Sequence, residues 1–97
     1  MTRDYKKLLY NGTTTRAARN IVREGMRAGT YFTPNKADAV RYAVARAEFE
    51  DLEPAIVIAR VPINMLADDP MERGCYVNLE HIPVEYILGS ETIKERR

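Results

Sequence analysis

Two segments of the chain carry apolar residues at the three- and four-residue spacing of a helix that buries one face. The first follows the threonines at 13–15, whose hydroxyls can cap a helix, and stops at Gly25, which can end one. The second begins after Asn35, which with Asp38 resembles a capping box, and ends before Pro54. The pattern therefore predicts two helices. The inner stripe of the second helix consists of Ala39, Val40, Ala43, Val44 and Ala47.

Five further segments have the residue types of β-strands. Residues 55–61 form a nearly continuous apolar run rich in β-branched side chains, which is typical of a central strand covered on both faces. The other four segments are residues 5–10, 30–33, 75–79 and 84–88. Asn11-Gly12 predicts a turn after the first strand, and residues 63–69 allow one helical turn. This order of elements predicts an α+β fold, with two helices against a mainly antiparallel or mixed sheet.

The length and composition of the chain fit one small folded domain. We expect a single domain over residues 1–97, with an ordered core at about 5–88 and a polar tail at 89–97. The chain is 45% apolar and 30% charged, a composition that excludes a disordered protein. Because a domain of this size hides only about 60 to 65% of the surface of its unfolded chain, we expect modest stability, which a homo-oligomer would increase.

Charge and residue counts exclude several classes of partner. A formal net charge of +1 creates no long-range field for a phosphate backbone or an anionic membrane, so the sequence disfavours a general nucleic-acid binder. A single cysteine, Cys75, and a single histidine, His81, exclude an internal disulfide and a structural zinc site, and we expect no metal. No apolar stretch approaches the roughly 18 residues of a membrane span, and the first residues do not resemble a leader peptide. We therefore expect a cytoplasmic protein.

The end of the first predicted strand carries the first part of a family resemblance. Residues 9–13 read Leu-Tyr-Asn-Gly-Thr and precede a helix. They resemble the Tyr-His-Gly-Thr strand end of the ADP-ribosyltransferases, the superfamily of the poly(ADP-ribose) polymerases and tRNA 2'-phosphotransferases, with Asn11 at the histidine position. The resemblance implies an NAD-binding, split-sheet fold. In it, the Gly12 main chain would bind the nicotinamide amide, and Asn11 and Thr13 would bind ribose hydroxyls.

The second part of the resemblance is a pair of tyrosines. Residues 29–33 read Gly-Thr-Tyr-Phe-Thr, similar to the Gly-x-Tyr-Phe-Ala motif of the polymerases, and Tyr42 follows Tyr31 by the family's eleven residues. In the family this pair flanks the nicotinamide ring. A flat cationic ring between two phenol faces gains stacking and cation–π energy of about 1 kcal/mol per face. Tyr31 and Tyr42 are therefore candidate residues for binding NAD.

The third part of the resemblance covers the two last predicted strands. Residues 82–87 read Ile-Pro-Val-Glu-Tyr-Ile, which looks like the ending of small family members. The family's catalytic glutamate stands at the start of the preceding strand, where it stabilises an oxocarbenium-like transition state. The simplest alignment places Cys75 there, and Glu72 becomes the catalytic candidate if its loop brings it in. The implied activity is NAD-dependent transfer of ADP-ribose to a protein or nucleic-acid acceptor.

Each of these residues also has an ordinary structural explanation. Asn11-Gly12 can be a simple turn, Tyr31 and Tyr42 can be packed core aromatics, and Glu72 can be a solvated loop carboxylate. The arginines that recur along the first helix can form a solvated face or can lie beside a phosphate-bearing ligand. These four residues are Arg16, Arg19, Arg23 and Arg27. The alternative function is a non-catalytic interaction protein, for example a viral or mobile-element protein that keeps the fold without the chemistry.

Overall fold

A computed structural model describes residues 5–94, and within them six strands and two α-helices form an α+β fold. In chain order the elements are β1 (Lys6–Thr14), α1 (Thr15–Glu24), β2 (Tyr31–Phe32), α2 (Lys36–Glu50), β3 (Pro54–Pro62), β4 (Leu66–Asp68), β5 (Tyr76–Asn78) and β6 (Ile87–Thr92). Single 3-10 turns at Ile63–Met65 and Val84–Tyr86 precede β4 and β6. The predicted α+β class is confirmed, and the strands form two antiparallel sheets of three.

The main sheet has the strand order β1-β3-β6 and is buried on both faces of its central strand. Ala55, Val57 and Ala59 join one apolar cluster, whereas Ile56 joins another. Successive side chains of a strand point to opposite faces, so each cluster belongs to one face of β3. The nearly continuous apolar run of this strand is therefore explained, as expected from the sequence, by burial on both faces.

The helices cover the two faces of the main sheet. Ala39 and Ala43 of α2 are fully buried against Ile56 on one face, and Ala18 of α1 packs in the cluster of the other face. α2 approaches β1 closely at Gly12, where an added Cβ would overlap the Ala39 carbonyl oxygen and lie 2.9 Å from the Ala43 nitrogen. Because only hydrogen fits between β1 and α2 here, the helix lies directly on the backbone of the strand.

The second sheet has the order β2-β5-β4 and joins the main sheet through one isolated bridge. Tyr10 of β1 donates its N–H to the Thr33 carbonyl (2.8 Å), and Thr33 donates back to the Tyr10 carbonyl (2.9 Å). Phe32 of β2 is fully buried in the same cluster as Met26 and Ile82. The two sheets thus share one apolar core and separate beyond the bridge.

The structure corrects the prediction for the first strand. Asn11 and Gly12 do not form a turn but lie inside β1, which runs on to Thr14. The reason is long-range pairing: Asn11 lies opposite Val57 and Gly12 opposite Ile56, in a register that continues to Pro54. Pairing with β3 over nine residues overrides the local preference of Asn-Gly for a turn.

The last strand and the segment before β5 also differ from the prediction. Residues 84–86 form a 3-10 turn, and the strand predicted at 84–88 instead spans Ile87–Thr92, so that four residues of the expected polar tail belong to a sheet edge. Residues 95–97 of that tail lie outside the described residues. The predicted helical turn in 63–69 is confirmed as Ile63–Met65, but β4 follows it and was not predicted.

The two helices were correctly predicted at their ends. Thr14 caps α1 by accepting from the Ala17 N–H (3.2 Å), and Gly25 ends it with a positive φ of 91°. Asn35 caps α2 by accepting from the Asp38 N–H (3.1 Å). Neither helix of the described part of the chain has the length and apolarity to cross a bilayer.

Candidate functional site

A cleft of about 560 Å³ opens along the free edge of β1, beyond the bridge that ties β1 to the second sheet. Side chains of α1 and α2 form its two sides, and the segments before β2 and after β5 form its rim. Four of the five residues that the resemblance assigns to NAD binding line it together. They are Asn11, Thr13, Tyr31 and Tyr42. The fold thus brings residues from β1, β2 and α2 into one concave surface.

The two tyrosines contact each other on the wall of this cleft. Their ring centroids are 4.9 Å apart, and the ring planes are tilted by 36°. Tyr31 is partly buried, whereas Tyr42 is 46% exposed. A planar ring placed between them would need a separation of about 7 Å, which is two van der Waals contacts. A sandwiched ligand therefore requires the more exposed ring, Tyr42, to rotate away from Tyr31.

The hydroxyl end of Tyr31 lies in a different environment from its ring. The Cys75 thiol donates a weak hydrogen bond to this hydroxyl, with a sulfur–oxygen distance of 3.5 Å. Burial raises the pKa of the Tyr31 phenol well above its usual range, and the interaction with Cys75 and the negative charges of Glu72 and Asp38 raise it further. The phenol therefore remains protonated throughout the physiological pH range.

Asn11 and Thr13 project into the cleft from β1 but are almost completely buried. Asn11 is 5% exposed, and its side-chain amide donates to the Tyr31 carbonyl over 2.7 Å. This bond ties β1 to β2 next to the bridge at Thr33. This bond uses one donor of the Asn11 amide, which has a second N–H and an acceptor oxygen, and both Asn11 and Thr13 belong to the lining of the cleft.

Gly12 contributes backbone rather than a side chain. In an antiparallel strand the N–H and C=O of every second residue point to the same side. The backbone of Tyr10 hydrogen-bonds to Thr33 at the edge of β1 that faces away from β3. The backbone N–H and C=O of Gly12, two residues on, therefore point to that same outer edge. The main chain of Gly12 therefore presents a donor and an acceptor along the outer edge of β1, between Asn11 and Thr13, although Gly12 itself does not belong to the cleft lining.

Glu72 does not line the cleft in the described structure. It is exposed in the turn that precedes β5, where its carbonyl accepts from the Cys75 N–H over 3.2 Å. Its carboxylate still acts on the Tyr31 phenol through its charge. The buried side chain immediately before β5 is the Cys75 thiol, so this position beside the Tyr31 hydroxyl holds a thiol and not a carboxylate.

Arg46 and His81 line the cleft but were not proposed from the sequence as ligand contacts, whereas Arg27 was one of four arginines that could lie beside a phosphate-bearing ligand. Arg46 lies on α2 one turn after Tyr42, and Arg27 and His81 lie on the rim. The four-residue spacing from Tyr42 to Arg46 is a signal that could have identified Arg46, because residues at that spacing share a helix face. No local pattern marks His81, which reaches the cleft only through the pairing of Met26 with Ile82.

The comparisons with known proteins do not identify a family. No protein-family model matches the chain, and no curated protein matches its sequence. Within residues 5–94, histidine, cysteine and carboxylate side chains form no group of three that could hold a metal ion. The functional interpretation therefore depends on the geometry of the cleft and on the sequence motifs.

Proposed function

We propose that this protein binds NAD in the cleft along the edge of β1, with the nicotinamide ring against Tyr31 and Tyr42, as an ADP-ribosyltransferase-like protein. The observation that carries the proposal is that the two tyrosines, eleven residues apart, meet in one open cleft that Asn11 and Thr13 also line. An aromatic wall with a few polar groups suits a planar heterocycle attached to a sugar.

Main-chain and side-chain groups of β1 supply the polar contacts of the proposed complex. The Gly12 N–H and C=O would pair with the carboxamide of nicotinamide, which carries one acceptor and one donor group. The unused hydrogen-bonding capacity of Asn11 and the hydroxyl of Thr13 would bind ribose hydroxyls. Placing a glycine there also keeps the strand free of a Cβ under α2.

The reaction proposed for this complex is cleavage of the bond between nicotinamide and ribose. The electron pair of that bond leaves with the nicotinamide nitrogen, the sugar becomes oxocarbenium-like, and a hydroxyl oxygen of the acceptor attacks it while losing its proton to solvent. A carboxylate near the ribose would stabilise the positive charge. Glu72 is the candidate, and it would act only if the turn at residues 70–74 closes over the cleft.

Thermal melting with and without millimolar NAD tests the binding step. We expect NAD to raise the midpoint of the wild type, because a ligand that binds only the native state stabilises it by about 2.7 kcal/mol at a hundredfold excess over its dissociation constant. Tyr42→Ala should reduce this shift. Phe49→Ala is a matched control, since Phe49 lies on the same helix but is 91% exposed and outside the cleft. An unchanged wild-type midpoint would remove the proposal.

Release of nicotinamide tests the chemical step separately. If Glu72 stabilises the cationic sugar, Glu72→Gln should lower the release rate without changing the NAD-induced melting shift. Equal rates for the wild type and Glu72→Gln would exclude this role for Glu72.

A non-catalytic interaction protein is the second candidate function. It is favoured by the buried thiol of Cys75 at the strand start and by the exposure of Glu72. Under this alternative the wild type releases no nicotinamide above the rate in buffer, even at NAD concentrations that saturate the melting shift.

A further inference from the structure

The last strand, β6, has one edge that pairs with no other strand among residues 5–94. The main sheet has the order β1-β3-β6, so β6 pairs on one side only, with β3. The cleft of the proposed function lies along the outer edge of β1, at the opposite end of this strand order. An open edge presents backbone donors and acceptors that can pair with a further strand. A strand added to β6 would therefore leave the cleft open.

The register of the main sheet determines which backbone groups of β6 point outward. In β1 the groups of Tyr10 bond on the outer side, so those of the next residue, Asn11, bond to its partner Val57 in β3. Val57 also lies opposite Ser90 of β6. Because the backbone groups of Val57 point to β1, the N–H and C=O of Ser90 point away from β3. Thr92, two residues on, repeats this orientation.

A groove between α1 and β6 lies beside this edge and has a volume of about 310 Å³. Its strand side includes Ser90 and Thr92, and its helix side includes Arg19 and Val22. Val22 is 43% exposed, and Leu88 of β6 is 58% exposed. An added strand would place every second side chain on the face that carries this groove. The groove and the exposed apolar side chains therefore offer contacts in addition to the backbone hydrogen bonds.

The α2 face of β6 restricts which strand can be added. Glu91 pairs on this face with Lys36 of α2, with 3.2 Å between Nζ and Oε1. A second glutamate directly opposite Glu91 would be destabilised by the like charges. Gly89, two residues earlier on the same face, has no side chain, and an added Cβ there would meet nothing within 4 Å. The strand can therefore accept a glutamate opposite Gly89 but not opposite Glu91.

We infer that the outer edge of β6 pairs with the β6 of a second copy of this chain, antiparallel and with the two-fold axis at Ser90. The two copies of Ser90 would exchange two backbone hydrogen bonds through their outward N–H and C=O groups. In this register the Glu91 of each copy lies opposite Gly89 of the other, where there is open space. The strand is thus complementary to itself, and the pairing joins two three-stranded sheets into one of six strands.

Sedimentation equilibrium of the full chain tests the pairing. We expect a reversible dimer with a dissociation constant in the micromolar range, because a contact between two edge strands and their flanking helices is small. Ser90→Pro should raise this constant at least about tenfold, because proline has no N–H for the central hydrogen bonds. The N–H of Ser90 does not bond to β3, so the substitution leaves the main sheet paired, which far-ultraviolet circular dichroism checks.

Ser90→Ala is the matched control, because it keeps the N–H and should dimerise like the wild type. Ser90→Lys is a second disruptive variant that keeps the N–H, and it should weaken the dimer by placing two like charges opposite each other. A wild type that stays monomeric at every soluble concentration would overturn the inference. A dimer whose dissociation constant changes in neither disruptive variant would also overturn it, because a different surface would then form the contact.

Disulfide formation tests the register. Ser90→Cys would place two thiols opposite each other at a Cα separation of about 5.5 Å, which is within the range of a disulfide. Glu91→Cys is the comparison, because its two copies would be offset along the strands. We expect oxidation to cross-link Ser90→Cys into a dimer much faster than Glu91→Cys or the wild type, whose Cys75 is buried. Faster cross-linking of Glu91→Cys would overturn the axis at Ser90, and cross-linking of neither variant would overturn the pairing.

Discussion

Each of the two sheets is stabilised mainly by a different kind of interaction, although both contribute to one core. In the main sheet, β1 and β3 pair over nine residues, and apolar side chains are buried on both faces of β3. In the second sheet no strand exceeds three residues, and the hydrogen bonds of one buried side chain, Asn78, reach both loops at its end. The main sheet is thus distinguished by apolar burial on both faces of its central strand. The second sheet, which adds Phe32 to the same core, is distinguished by the hydrogen bonds of one buried asparagine.

The cleft lies where these two kinds of structure meet. The wall formed by β1 belongs to the main sheet, and α2 packs directly on this strand at Gly12. The rim of the cleft belongs to the loops around the second sheet, where Asn78 donates to the backbone carbonyls of Arg27 and Glu80. The cleft therefore has one wall fixed by close packing and a rim fixed by a few hydrogen bonds. The comparison predicts distinct consequences for mutations in each part.

The largest effect is expected for Gly12→Ala in the main sheet. The new methyl group would overlap the Ala39 carbonyl and come within 2.9 Å of the Ala43 nitrogen, both of them backbone atoms that cannot move independently of α2. We expect a loss of about 3 kcal/mol or more in the free energy of unfolding, at the upper end of overpacking effects. Urea denaturation followed by far-ultraviolet circular dichroism measures it, since the chain has no tryptophan.

Gly74→Ala separates this close approach from the conformational cost of replacing glycine. Gly74 has a φ of 82°, but an added Cβ there would have nothing within 4 Å. We expect a loss of about 1 to 2 kcal/mol, which is the cost of a left-handed conformation alone. Equal losses for the two variants would contradict the tight contact between β1 and α2.

A smaller but still large effect is expected for Asn78→Ala in the second sheet. The substitution removes one acceptor and two donated hydrogen bonds, and it leaves the Arg27 and Glu80 carbonyls and the Thr30 N–H without these partners. We expect a loss of about 2 to 4 kcal/mol.

Asn64→Ala is the control for this prediction, because Asn64 is exposed in the 3-10 turn before β4. We expect its unfolding free energy to stay within about 0.5 kcal/mol of the wild type. If Asn78→Ala is as mild as the control, the second sheet is held by its apolar contacts, and the contrast between the two sheets is lost.

The same contrast explains which parts of the fold were predictable from sequence. The helices and β3 were predictable from local caps and from the apolar pattern, because an element that packs against a core has apolar residues at positions that can be recognised in the sequence. Neither β4 nor the role of Asn78 can be recognised from such a pattern, because β4 pairs with residues 8 to 12 positions away, and Asn78 bonds to Thr30 and Arg27, which are 48 and 51 positions away. Leu66 pairs with Asn78, for example, and nothing in residues 66–68 indicates this.

The candidate site was partly predictable for a related reason. Asn11, Thr13, Tyr31 and Tyr42 were identified through motifs, and the fold brings them together. The prediction of a turn at Asn11-Gly12 was wrong because it considered only local preference, whereas β3 extends the strand. Arg27 was considered only as part of a helical ridge that could be solvated or could lie beside a phosphate-bearing ligand. In the structure α1 ends at Glu24, and Arg27 lies beyond that end.

The smallest effect is expected at Tyr31, where the second sheet meets the cleft. An unfolded tyrosine ionises near pH 10, whereas burial and its neighbours raise the pKa of native Tyr31 above that value. Above about pH 10 the native state therefore retains a proton that the unfolded state has lost, and the stability from this phenol, complete below pH 10, declines as pH rises. Removing the hydroxyl in Tyr31→Phe removes this decline. The difference between wild-type and variant unfolding free energies should thus shift in favour of Tyr31→Phe between pH 8 and 11, as measured by urea denaturation.

Tyr5→Phe, at a residue that is largely exposed, should show no such shift. A difference for Tyr31→Phe that is constant with pH would mean that its hydroxyl is as well solvated in the folded protein as in the unfolded chain.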